Sequence, residues 1–132
     1  MKKFAAVMMS LALLLGLAAC GNAVSIGGFS SKYCNSDAYD SAVQEVMTAF
    51  KEYEGCTLKK VGYAGDKAVK AEAEARGLAP EQVMVLTSTF TTDGGDHGTV
   101  FEPNQTYEDY KWILTRSTSA DPFWTVADRG YG

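Results

Sequence analysis

One histidine, three cysteines and a serine within an apolar run are the side chains of this 132-residue chain that could carry catalysis. His97 stands in Asp93-Gly94-Gly95-Asp96-His97-Gly98, where carboxylates, imidazole and pliable backbone meet. A metal reading would use Asp93, Asp96 and His97, with Glu102 in reserve. Calcium loops need acidic residues at alternating positions and a distal glutamate, and this stretch lacks that spacing. Zinc needs three or four nitrogen or sulfur ligands, and the chain has one histidine. The loop therefore reads as a polar hairpin connection. Ser88 lies in a core-strand pattern, but no Gly-x-Ser-x-Gly turn presents it. The carboxylate neighbours Glu72 and Glu74, or Glu108 and Asp109, read as solvated faces. No cofactor is implied and no catalytic residue is assigned.

The aromatic residues Tyr107, Tyr110, Trp112, Phe123, Trp124 and Tyr131 gather in the last third of the chain. If they sit on two strands of a hairpin, they pair across it on alternating faces. One face must meet the core, and the other leaves exposed rings suited to partner contact. The expected binding surface is drawn from Tyr110, Trp112, Trp124 and Tyr131.

Ahead of these elements lies a different kind of segment. Lys2 and Lys3 precede the uncharged apolar run Phe4 to Ala19, which ends in small residues, the layout of a secretory signal peptide. The run is short for a membrane-spanning helix. Leu17-Ala18-Ala19-Cys20, followed by Gly21-Asn22, resembles the lipobox of bacterial lipoproteins. The resemblance implies a diacylglycerol on the Cys20 thiol and cleavage just before it. Two acyl chains hold a protein stably where one does not. The expected division is a signal peptide over 1–19, lipidated Cys20 with a flexible Gly- and Ser-rich tether to residue 36, and one domain over 37–132.

Removing residues 1–19 leaves 113, enough for one core. Of 12 basic and 16 acidic residues, two basic ones fall in the signal, leaving ten against sixteen, a balance of −6. An acidic chain is a poor nucleic-acid ligand. It is also weakly repelled by anionic lipid, so attachment falls to the acyl chains. With Cys20 acylated, Cys34 and Cys56 remain as an even pair in an oxidising compartment. A disulfide is expected there, with two free thiols as the alternative.

The periodicities predict a helix over 37–53, with Val43, Val46, Met47, Phe50 and Tyr53 on one stripe and Asp40 or Ser41 as cap. A strand follows over 56–64; Leu58 and Val61 break its alternation, which places a bulge near Lys59-Lys60. Asp66 caps a second, Ala-rich helix to Arg76, stopped by Gly77. Strands follow over 83–92, 107–116 and 123–128, the first apolar on both faces and so central. The fold class is α+β: one long helix on a curved, mainly antiparallel sheet of about four strands, with the helices on one face.

Phe50-x-x-Tyr53-x-Gly55-Cys56, Tyr107-x-x-Tyr110-Lys111-Trp112-Ile113-Leu114-x-Arg116 and Trp124-x-Val126-x-Asp128-x-Gly130-Tyr131 carry a second resemblance. The domain is similar to small bacterial lipoproteins of the nuclear-transport-factor-2-like or cystatin-like kind. That likeness implies no particular activity. The expected function is a lipid-anchored, extracytoplasmic, non-catalytic binding or accessory module. Its partner would be an envelope protein or a small ligand, and its site the cell membrane, or an outer membrane where one exists. The alternative is a small metal-dependent or hydrolytic enzyme centred on His97.

Overall fold

The apolar positions Tyr39, Ala42, Val43, Val46 and Phe50 recur at helical spacing, and all are buried. They form the inner stripe of helix α1, Ser36–Phe50. A computed structural model describes residues 23–95 and 100–131 of the chain. The helix starts a turn before the expected cap. Its N-cap is Asn35, whose Oδ1 accepts the Ala38 N–H at 2.9 Å, and Tyr39 extends the buried stripe toward it. Tyr53 falls beyond the helix, in a turn closed by Gly55 at φ 76°.

Four strands follow as a meander: β2 Cys56–Tyr63, β3 Val83–Thr92, β4 Thr106–Thr115 and β5 Thr125–Gly130. Each pairs antiparallel with the next. A fifth strand, β1 Ser25–Ile26, adds in parallel to β2, so the sheet is mixed, open and ordered β1-β2-β3-β4-β5. The expected tether is thus already part of the domain. Phe29 stacks on Tyr39 at 4.5 Å, and the Tyr39 hydroxyl donates to the Gly27 carbonyl at 2.8 Å.

The register slips between Leu58 and Lys60, which puts the bulge at Lys59 as the broken alternation predicts. A second slip, between Ser88 and Phe90 on β3, leaves an extra residue on β4, and Asp109 there has φ 58°. That bulge brings Tyr107 and Tyr110 to the same face. A third slip affects β5 near Ala127.

The second helix, α2, spans Asp66–Arg76, and Gly77 closes it at φ 67°. Its N-cap is Gly65, not Asp66, because the Asp66 carboxylate is engaged elsewhere. It accepts the Tyr63 hydroxyl at 2.5 Å and the Lys32 N–H at 3.0 Å. The two helices lie on opposite faces of the sheet, not together on one. Met84, Leu86 and Phe90 meet α1, whereas Val83 and Val85, with Ile113, meet Val69 and Ala73 of α2. Alternation along β3 decides this, since both of its faces are apolar and each needs a cover.

Cys34 and Cys56 are free thiols, which corrects the expected disulfide. Cys56 pairs with Thr92 at one end of β3, while the Cys34 sulfur lies 3.9 Å from the Glu81 carbonyl beyond the other end. Ten strand residues separate those ends, roughly 30 Å at about 3.3 Å each. A disulfide needs Cα atoms within about 7 Å.

Candidate functional site

Trp112 is fully buried on β4, and its indole N–H donates to Ser88 Oγ at 2.9 Å. The Ser88 hydroxyl in turn donates to the Tyr110 carbonyl at 3.1 Å. This satisfied pair explains a serine within an apolar strand, where Ser88 is buried. Trp124 is 5 % exposed; its indole donates to the Ala38 carbonyl at 3.0 Å and pins the β5 approach to α1. Tyr110 is 7 % exposed, edge-on to Phe90 and Trp112.

Three of the four expected binding aromatics, Tyr110, Trp112 and Trp124, are therefore core residues. Tyr110 and Trp112 stand two residues apart on β4 and so share the face that α1 covers, and Trp124 is drawn onto the same helix by its bond to the Ala38 carbonyl. Tyr131 alone of the four is exposed, at 58 %, with its hydroxyl donating to the Glu108 carbonyl at 2.9 Å. Phe123 is exposed as well.

Where the aromatic core reaches solvent, it is trimmed with polar groups. The hydroxyls of Tyr53 and Tyr110 share a hydrogen bond of 3.0 Å. Burial, followed by that bond, pushes the Tyr53 phenol up, so it stays protonated. The Arg129 guanidinium lies 5.4 Å from the Tyr53 ring and 5.6 Å from the Trp112 ring, and 3.8 Å from the Glu52 carboxylate. Beside it, α1 and β5 enclose an open groove of about 510 Å³, lined by Glu45, Thr48, Glu52, Trp124, Val126 and Arg129 among others. That volume is within the range of small-ligand clefts. Sequence reasoning missed this groove. Glu45, Thr48 and Glu52 look like an ordinary solvated helix face, and only the placement of β5 turns that face into a wall.

At the opposite end of α1, Arg116 acts as a hub. Its Nε donates to the Glu81 carbonyl at 3.0 Å, one terminal nitrogen donates to the Asp121 carbonyl at 3.2 Å, and the other lies 3.6 Å from the Cys34 sulfur. The guanidinium stacks over Trp124 at 4.4 Å. Burial raises the Cys34 thiol against the lowering pull of Arg116, and burial, then the Asp93 charge, raises Cys56. Protonated thiols are poor nucleophiles.

Asp93 has its carboxylate on the Gly95 N–H at 2.9 Å, and its backbone N–H donates to the Gly55 carbonyl at 2.8 Å. Asp96 and His97 lie outside the described residues, as does Cys20. Glu102 donates its backbone N–H to the Tyr107 hydroxyl at 2.8 Å. Among the described residues, no three histidine, cysteine or acidic side chains are grouped to hold a metal ion. Nor is any described helix long and apolar enough to cross a membrane.

Comparison with protein-family models, curated proteins and solved structures yields no match to this chain.

Proposed function

We propose that the chain is an extracytoplasmic lipoprotein, acylated at Cys20 and held at the cell membrane. Its α+β domain would serve as a non-catalytic binding or accessory module. The observation that carries the non-catalytic part is the state of the nucleophile candidates. Ser88 is enclosed by Tyr110 and Trp112, and both Cys34 and Cys56 are raised in pKa. The groove between α1 and β5 is the binding surface we favour over the aromatic strand residues, because it is open, of ligand size, and rimmed by charge. One long helix laid across an antiparallel meander supports the likeness to cystatin-like and nuclear-transport-factor-2-like lipoproteins. The bulges in three ladders support a curved sheet.

The test has two arms. Cells fed an alkyne-tagged fatty acid should label the wild-type protein, and Cys20→Ala should abolish the label and release the domain from the membrane fraction. Crosslinking in intact cells should then capture one specific partner or ligand. Thr48→Arg, a substitution at an exposed groove position, should remove that capture, while His97→Ala leaves it unchanged. A capture insensitive to Thr48→Arg would move the site out of the groove. A chemical activity lost in His97→Ala would replace the binding reading with the enzymatic one.

A further inference from the structure

The domain begins close to the proposed anchor. Val24 already packs against the main core, and the Gly27 N–H donates to the Val61 carbonyl at 2.8 Å. Four residue steps separate Cys20 from Val24, which at about 3.5 Å each span no more than about 14 Å. A long tether would let the domain take any orientation, but one this short restricts which face meets the lipid. The face around Val24 is the β1–β2 edge.

The chemistry of that edge differs from the chain as a whole. Ser25 pairs with Lys60 and Ile26 with Val61, so Lys59 and Lys60 flank β1 directly, and both are exposed. Val24 and Lys51 line the same shallow groove of about 470 Å³, with Met47, Phe50 and Leu58 supplying apolar wall. Ile26 is 44 % exposed. None of the ion pairs among the described residues engages Lys51, Lys59 or Lys60. Glu54 and Asp93 lie toward the Cys56 end of the edge. Asp66 lies at its Tyr63 end, and at the opposite edge of the sheet Glu45, Glu52 and Asp128 gather around β5, with Arg129 on Glu52 and Arg76 on Asp128.

We propose that the β1–β2 edge, with Lys51, Lys59, Lys60 and the exposed Ile26, lies against the anionic headgroups of the bilayer that holds Cys20. This rests on the lipoprotein reading above and adds an orientation to it. Phosphate groups supply the charge that the three lysines lack in the folded protein. Each lysine near an anionic surface favours contact by about fivefold. The groove beside Val24 gives the apolar side chains a boundary with the acyl region. The β5 groove then points away from the membrane, toward whatever it binds.

The test is lysine footprinting of the full-length, lipidated protein with a membrane-impermeant acylating reagent. The protein is reconstituted in vesicles of phosphatidylglycerol with phosphatidylethanolamine, or of phosphatidylcholine alone. In the anionic vesicles, labelling of Lys51, Lys59 and Lys60 should fall at least about fivefold relative to Lys70 on α2. It should recover in phosphatidylcholine and in high salt. The pair Lys59→Glu and Lys60→Glu should abolish protection of Lys51 while the protein stays in the vesicle fraction. Equal labelling of all four lysines in both vesicles, with the protein vesicle-bound, would overturn the orientation and leave lipidation standing. Protein that carries no lipid and floats free of vesicles would overturn both.

Discussion

Strand β3 builds both faces of the sheet, and the two faces are covered very differently. On the α1 side, Met84, Leu86 and Phe90 continue into Trp112, Leu114, Tyr110 and Trp124, closed by six buried residues of the helix. On the α2 side, Val83 and Val85 meet Ile113, Val69 and Ala73. There the apolar run stops, and the same face continues as half-buried Thr87, Thr89 and Thr91. An Ala-rich helix covers little area, so the strand turns polar where the cover ends. The contrast teaches that a strand apolar on both faces needs two covers, and that the residue sizes of each cover set how far the apolar run extends.

The contrast can be broken most strongly at Trp112. Trp112→Ala removes the largest fully buried side chain and leaves the Ser88 hydroxyl without its donor. Urea titration should show a loss of about 4 kcal/mol, enough to unfold a marginal domain. Ser88→Ala keeps the packing but strands the indole N–H, and should cost about 2 kcal/mol by the same measurement. Val85→Ala, on the α2 side, deletes two buried methyl groups and should cost about 1.6 kcal/mol, at roughly 0.8 kcal/mol for each. Thr89→Ala, on the uncovered part of that face, should change the midpoint by less than about 0.5 kcal/mol. A loss at Thr89 as large as that at Val85 would show the threonine face to be covered after all.

A pH measurement sharpens how the first residues of the domain are held. Hydrogen bonds from Lys32, Ser31 and Tyr63 hold the Asp66 carboxyl below its ordinary value. Its folded value lies below its unfolded one, so its contribution is complete above the unfolded value and lost as pH falls through the folded one. Asp66→Asn should therefore flatten the acid limb of the stability profile and leave the slope near neutrality unchanged. An unaltered acid limb would mean that Asp66 does not fasten residues 27–32.

Much of the fold is legible in the sequence, and for a local reason. Strand β3, the bulge at Lys59, the span of α2 and its stop at Gly77 all follow from periods, β-branched runs and glycine placement, which act over a few residues. The candidate site was hidden. The aromatic spacing of β4 reads as two alternating faces, whereas the bulge at Asp109, which takes φ 58°, merges Tyr107 and Tyr110 onto one. The α1–β5 groove depends on residues some eighty positions apart, and no local pattern records such a distance.

By itself the sequence determined the α+β class, the central strand and the meander, because these rest on chain order and local chemistry; that the domain begins near Val24, inside the expected tether, came from the packed structure. Tertiary structure alone decided that the helices flank the sheet, that Tyr110, Trp112 and Trp124 are core, and that Cys34 and Cys56 lie at opposite ends of β3. Each of these depends on which distant surface covers a residue, and burial is a property of the packed chain rather than of any stretch within it.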